Sequence, residues 1–202
     1  MSDVNVLAKL FVRGGDSKVR GTPSLEKKRI LLFTDASVSP QSGLGVGASL
    51  VVEAQDLYDL DPSEIASQFE HRIHFEVFSS NKSTFVEIRT AMNAVKSHIL
   101  EQEGEVHVNL YTDCQSLCDL LNHRLKKLVT QGYTSGSGHL LAHAELYAEL
   151  FQLSQTVSLT PIKMDGHVKL SISPEEKIFS FLDKSVRKKL RKHVELNIWK
   201  NK

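Results

Sequence analysis

The sequence predicts an α/β fold: a ribbon of five strands forming a mixed sheet, the first three antiparallel, with helices on both faces. Three observations carry this. Strand-like apolar segments follow one another early in the chain with only turns and one acidic connection between them. Further on, two more such segments alternate with stretches of helical periodicity, the pattern of strand–helix–strand crossovers that build parallel pairs. The 202 residues, 41% hydrophobic and 24% charged, match one globular domain rather than a disordered chain.

In chain order, residues 1–28 mix short apolar pieces with Gly14-Gly15, Gly21 and Pro23 and read as a loosely ordered leader, which leaves 29–202 as the domain. Ile30 to Thr34 is a short apolar strand ending at Asp35, and Ser37 to Gly43 a Ser/Pro/Gly turn. A second strand runs from Val46 to Val52, followed by an acidic connection to about Ser67 with room for a helical turn. His71 to Phe78 alternates polar and apolar residues, as a half-buried strand does. Thr84 is placed to cap a helix in which Phe85, Ile88, Ala91, Met92 and Val95 share one face. Val106 to Tyr111 is a fourth strand that stops at Thr112-Asp113, with a helix from about Gln115. A Gly/Ser/Thr loop (Gln131 to His139) precedes an amphipathic helix over Leu140 to Leu153. The last strand spans Val157 to Met164, and Pro174 opens a final helix in the first-turn position that tolerates proline.

Composition narrows the classes. Two cysteines, Cys114 and Cys118, do not make a disulfide framework, so a reducing, cytoplasmic setting is expected. No apolar run has the length of a membrane span, and charges interrupt any signal-like segment near the N-terminus. The net charge of +1 hides a basic stretch from Lys184 to Lys202, which either meets a polyanion or is a solvated helix face.

Asp35 and Asp113 sit in the same unusual place. Each follows an apolar strand, an aromatic residue and a threonine (Phe33-Thr34-Asp35 and Tyr111-Thr112-Asp113). On neighbouring strands, two such carboxylates would lie side by side and repel unless a cation compensates them; hard oxygen ligands suit Mg²⁺ or Mn²⁺. Taken singly, the same residues have plainer roles. Asp35 could start the turn, Asp113 cap the next helix, Glu87 favour a helix dipole, and Asp183 add one charge to a polar face.

The segment ILLFTDASVSPQSGLGVGASLVV resembles the opening hairpin of type 1 ribonucleases H. STFVEIRTAMNAV resembles that family's first helix with its metal-binding glutamate, and VNLYTDCQSLCDLL its fourth strand and following helix. LLAHAELYAELFQL resembles the next helix, IKMDGH the last strand with its Gly-His, and FLDKSVRKKLR the final helix. The motifs occur in the family's order over about Arg29 to Arg191. The resemblance implies a metal-dependent endonuclease that hydrolyses the RNA strand of RNA–DNA hybrids and works as a monomer. It implies two ions held by Asp35, Glu87, Asp113 and Asp183, with Asp35 touching both, and His167 assisting proton transfer or product release. Ser37, Thr84, Gln115, Lys126, Lys127 and Arg187 become the candidate nucleic-acid contacts, with Tyr133 joining the two lysines in a reduced substrate-gripping protrusion.

The chain departs from the family pattern in three places. Ser83 to Val86 stand where an asparagine or glutamine usually precedes the helix glutamate, the loop between His167 and Asp183 is long, and the protrusion's tryptophans are missing. Two further readings stay open: a non-catalytic nucleic-acid or protein-binding module on the same fold, and another nuclease of the ribonuclease H-like superfamily.

Overall fold

The computed structural model describes residues 28–57, 60–61, 63–99, 102, 105–165 and 173–200. Five strands form one sheet in the order β3-β2-β1-β4-β5. They are β1 (Lys28–Ser39), β2 (Leu44–Glu53), β3 (His74–Phe78), β4 (Val106–Thr112) and β5 (Ser158–Lys163). The β1–β2 and β2–β3 pairs are antiparallel, and the β1–β4 and β4–β5 pairs parallel, as the sequence predicts. Of the leader, residues 1–27 lie outside the described residues, while Lys28 already belongs to β1.

The central strand β1 is buried on both sides, so its alternate residues feed two cores. Ile30 and Leu32 point to the face covered by α2 (Ser83–His98) and α5 (Ala144–Thr156). Leu31 and Phe33 point to the face covered by α6 (Pro174–Lys200) and the short α1 (Ile65–Phe69). Ile88, Ala91, Met92 and Val95 are all buried on the inner side of α2, as their spacing predicts.

Several boundaries differ from the sequence reading, each for a local reason. β1 does not stop at Asp35: Ala36 to Ser39 stay paired with β2, and the hairpin closes only where the Gly43 N–H donates to the Ser39 carbonyl at 3.0 Å. Gly43 has φ of 69°, a conformation that suits a residue without Cβ. β3 begins at His74, because Glu70–Arg72 form a 3-10 turn held by Arg72 hydrogen bonds to Asp56 (3.0 Å) and the Val51 carbonyl (2.8 Å). The cap of α2 is Lys82, not Thr84, which lies within the first turn. After β4, α3 (Gln115–Asp119) passes through a π-helical turn (Leu120–Arg124) into α4 (Leu125–Thr130). α5 starts at Ala144 rather than Leu140, since backbone hydrogen bonds tie His139 to Ser135 and Leu141 to Tyr133. Among the described residues no helix is long and apolar enough to cross a membrane.

Candidate active site

β1 and β4 pair in parallel up to Phe33 opposite Tyr111, whose rings stack at 4.5 Å. Two residues further along each chain come Asp35 and Asp113. Strand alternation turns the Asp35 carboxylate to the side of Phe33, the α6 face, and the charge of Asp183 on α6 acts on both aspartates. Asp35 is held inside β1, opposite Ala48, and is buried. Asp113 leaves β4 at its C-terminal end and does not cap the next helix. That role falls to Cys114, whose Sγ accepts from the Leu117 N–H at 3.3 Å. The plainer readings of both aspartates, turn start and helix cap, are therefore excluded.

Helices bring the other two. Asp183 lies on α6 between the fully buried Leu182 and the buried turn at Val186, and it accepts an ion pair from Arg187 Nε at 2.8 Å. Glu87 lies on α2 between buried Val86 and Ile88. The first turns of α2 come close to the sheet because β2 offers glycines beneath them. A Cβ on Gly47 would strike the Thr90 side chain, and one on Gly45 would lie 2.8 Å from the Ser80 carbonyl oxygen and from Val86 Cγ2.

Electrostatics tie the four together. Burial pushes the Asp35 carboxyl up to about 8, and the charges of Asp113, Asp183 and Glu87 push the same way against one hydrogen bond from the Ala36 amide. Asp113 is raised by burial, with Lys163 opposing and Asp183 adding to it. Burial also raises Glu87, which a hydrogen bond from the Cys114 thiol and the charge of Lys163 draw back down while Asp113 pushes it up. Asp35 Oδ2 is buried and lacks a hydrogen-bond partner, an expensive state for a carboxylate oxygen. Even so, among the described residues no three acidic, histidine or cysteine side chains are gathered tightly enough to hold one ion. The four carboxylates are near neighbours but do not form a preassembled ligand cage. Carboxylate oxygens on Asp35, Glu87 and Asp113 with raised proton affinity, one of them orphaned and buried, fit a hard divalent cation, which would lower that proton affinity.

The other expected contacts distribute unevenly. Ser37 is half-buried on β1, and Thr84 is half-buried on the first turn of α2. Gln115 is exposed at the start of α3, its amide donating to Asp119 at 2.8 Å. Lys126 and Lys127 are exposed on α4, but Tyr133 packs against the α2-side core and is not free to extend a protrusion. His167 lies outside the described residues. The sequence reading missed Lys163 and the role of Cys114. Lys163 ends β5 in register with Thr112 and donates to the Met164 carbonyl at 2.8 Å, which sets its charge beside Asp113 and Glu87. The signal for it was its place at the end of the last strand.

No protein-family model matches the chain, and no curated protein matches it in sequence. Solved structures do. The PFV RNase H domain in solution is similar at TM-score 0.60 and 16% identity, over 78% of this chain and 92% of that one. LC9-RNase H1, a type 1 RNase H with the type 2 active-site motif, gives TM-score 0.58 and 14% identity over 78% and 70%. LC11-RNase H1 in complex with RNA/DNA hybrid gives 0.52 and 11% over 82% and 99%. Together with the strand order and the mixed pairing, these likenesses define the class: the chain has the ribonuclease H fold.

Proposed function

We propose that the protein is a metal-dependent endoribonuclease acting on the RNA strand of RNA–DNA hybrids. The observation that carries this is Asp35 itself: it is buried, its Oδ2 is unpartnered, and its proton affinity is raised first by burial and then by the charges of Asp113, Asp183 and Glu87. The likeness to structures described as RNase H, one of them in complex with RNA/DNA hybrid, supports the same substrate class. These four residues would hold Mg²⁺ or Mn²⁺. A bound pair of such ions supplies an activated water and compensates the charge that builds up on the leaving oxygen.

The chain's own residues supply position and selectivity. Asp35 presents its carboxylate from within β1, where it is paired with Ala48 of β2, so it is the donor with the least freedom to move away. Lys163 faces Asp113 and Glu87 with a positive charge suited to a phosphate oxygen. Lys126, Lys127 and Arg187 would add phosphate contacts without sequence choice, and Ser37, Thr84 and Gln115 would contact the RNA strand. His167 is retained as the proposed proton-transfer or release group.

One observation favours the non-catalytic alternative: among the described residues no three carboxylates are gathered to hold an ion. Incubation with an end-labelled RNA annealed to DNA, in Mg²⁺ or Mn²⁺, separates the two. Internal cuts in the RNA that disappear in Asp35→Asn support the nuclease. Binding of the hybrid without cleavage at any enzyme concentration supports the module, and digestion from a DNA 3′ end instead points to another nuclease on this fold.

A further inference from the structure

Away from the carboxylates, at the β3 edge of the sheet, α6 does not close on the strand it covers. It leaves a groove of about 530 Å³ floored by Ile73, Phe75 and Phe181. Lysines line its rim, Lys184, Lys189 and Lys192 among them, and the single carboxylate in the lining is Glu70. Among the described residues none of these lysines forms an ion pair.

The apolar floor continues past both ends of the groove. Val77 follows Phe75 by two residues on the edge strand, so it faces the same side, and it is 49% exposed. Leu196 follows Ser185, Lys189 and Lys192 on one stripe of α6 and is 50% exposed. Of the three large hydrophobic residues this exposed among the described ones, two extend this one surface, the mark of a contact site rather than of scattered surface residues.

We propose that this groove docks an acidic polypeptide segment carrying bulky apolar side chains. Unpaired lysines beside an apolar trough match such a segment in both charge and hydropathy. A nucleic-acid strand fits less well. Lys189 Nζ lies 5.2 Å over the Phe75 ring and occupies the face on which a base would stack, and a sugar–phosphate chain leaves Val77 and Leu196 uncovered. A second copy of the chain docking face to face would bring lysine against lysine. The edge position of β3 gives an extended segment a backbone to pair with, so the apolar side chains of the partner would enter the trough on alternate residues. The docking is independent of the hydrolytic reading.

The full-length chain is titrated into a fluorescein-labelled peptide of aspartates and glutamates interrupted by phenylalanines, at physiological salt, with anisotropy as the readout. Saturable binding is expected, weakened about tenfold or more by Lys189→Glu combined with Lys192→Glu, and separately by Val77→Lys. All three changes are on exposed or half-exposed surface, and circular dichroism checks the fold. A peptide with alanine for phenylalanine should bind at least as weakly as those variants. The proposal is overturned by the absence of saturable binding, by equal binding of the alanine peptide, or by single-stranded RNA displacing the acidic peptide from the same lysines.

Discussion

Two pairs of carboxylates meet at the end of this sheet, and they are held in opposite ways. Asp35 is paired with Ala48 inside β1, and Asp113 directly follows the last residue of β4, so the sheet sets the position of the first and the starting point of the second. Glu87 and Asp183 come from helices, and each has a partner of its own: the Cys114 thiol for Glu87 and Arg187 for Asp183. The strand pair is rigid and electrostatically frustrated; the helix pair is adjustable and locally satisfied. The four carboxylates influence one another, yet among the described residues no three are gathered to hold an ion.

Asp35→Asn breaks the rigid half and should have the largest effect. Losing a carboxylate proposed to touch both ions removes several kcal/mol of charge stabilisation, so hybrid cleavage should fall by about 10³-fold or more. Stability should move the other way. The Asp35 carboxyl has a pKa of about 8 in the folded protein, against about 3.9 in an unfolded chain. Between these values the folded state binds the extra proton, so stability without divalent ions falls as pH rises from about 4 to about 8. The ceiling on that loss is roughly 6 kcal/mol from 1.36 kcal/mol per pKa unit, and water penetration will reduce it. Urea unfolding in EDTA should therefore show Asp35→Asn more stable than the parent at pH 8, with the gap closing toward pH 4. A variant less stable at every pH would mean that Asp35 is compensated by a group other than a bound cation.

The rigid half was also the legible half. Apolar runs ending in Thr-Asp announce strands, and the parallel register then sets Phe33 opposite Tyr111, two residues before Asp35 and Asp113. The amphipathic spacing of α2 likewise marked the buried face that flanks Glu87. What periodicity could not carry depended on other segments of the chain. The start of α5 is set by hydrogen bonds from residues 139–141 to residues 133–135, which hold Leu140 in a loop with 70% of its surface exposed. Lys163 becomes part of the site only through its register with Thr112, and Cys114 became a cap because its backbone precedes the helix in an extended conformation. Asp183 needed the family resemblance, since nothing in its local pattern separates it from the charges around it.

The approach of α2 to the sheet offers the next largest effect. Gly47→Ala places a methyl group against Thr90, one turn beyond Glu87, and α2 cannot stay where it is. Overpacking of this kind costs about 1–3 kcal/mol, and the shift should carry Glu87 with it. Thermal unfolding should begin several degrees lower and cleavage should drop, with a higher Mg²⁺ concentration needed for half-maximal rate. Gly136→Ala, where an added Cβ meets nothing within 4 Å, is the matched control and should change neither. A Gly47→Ala protein that loses stability but keeps its Mg²⁺ dependence would uncouple the α2 seat from the site.

The smallest effect tests whether the local partners of the helix pair help or hinder. Cys114 does two things at once: its sulfur caps α3 through Leu117 N–H, and its thiol donates to Glu87. Cys114→Ala should cost about 1 kcal/mol of stability for the lost cap, while Cys114→Ser, which keeps both an acceptor and a donor, should restore most of it. The informative readout is the Mg²⁺ concentration at half-maximal cleavage. If the thiol orients Glu87, alanine raises that concentration a few-fold and serine returns it. If alanine lowers it, the thiol competes with the ion for Glu87 as Arg187 competes for Asp183. The expected result is the rise, because the Cys114 thiol and Glu87 are both tied to the end of β4, where Asp113 also lies, whereas Arg187 draws Asp183 along its own helix. One partner would then hold its carboxylate toward the strand pair and the other away from it, and the comparison between strands and helices would divide within the helices themselves.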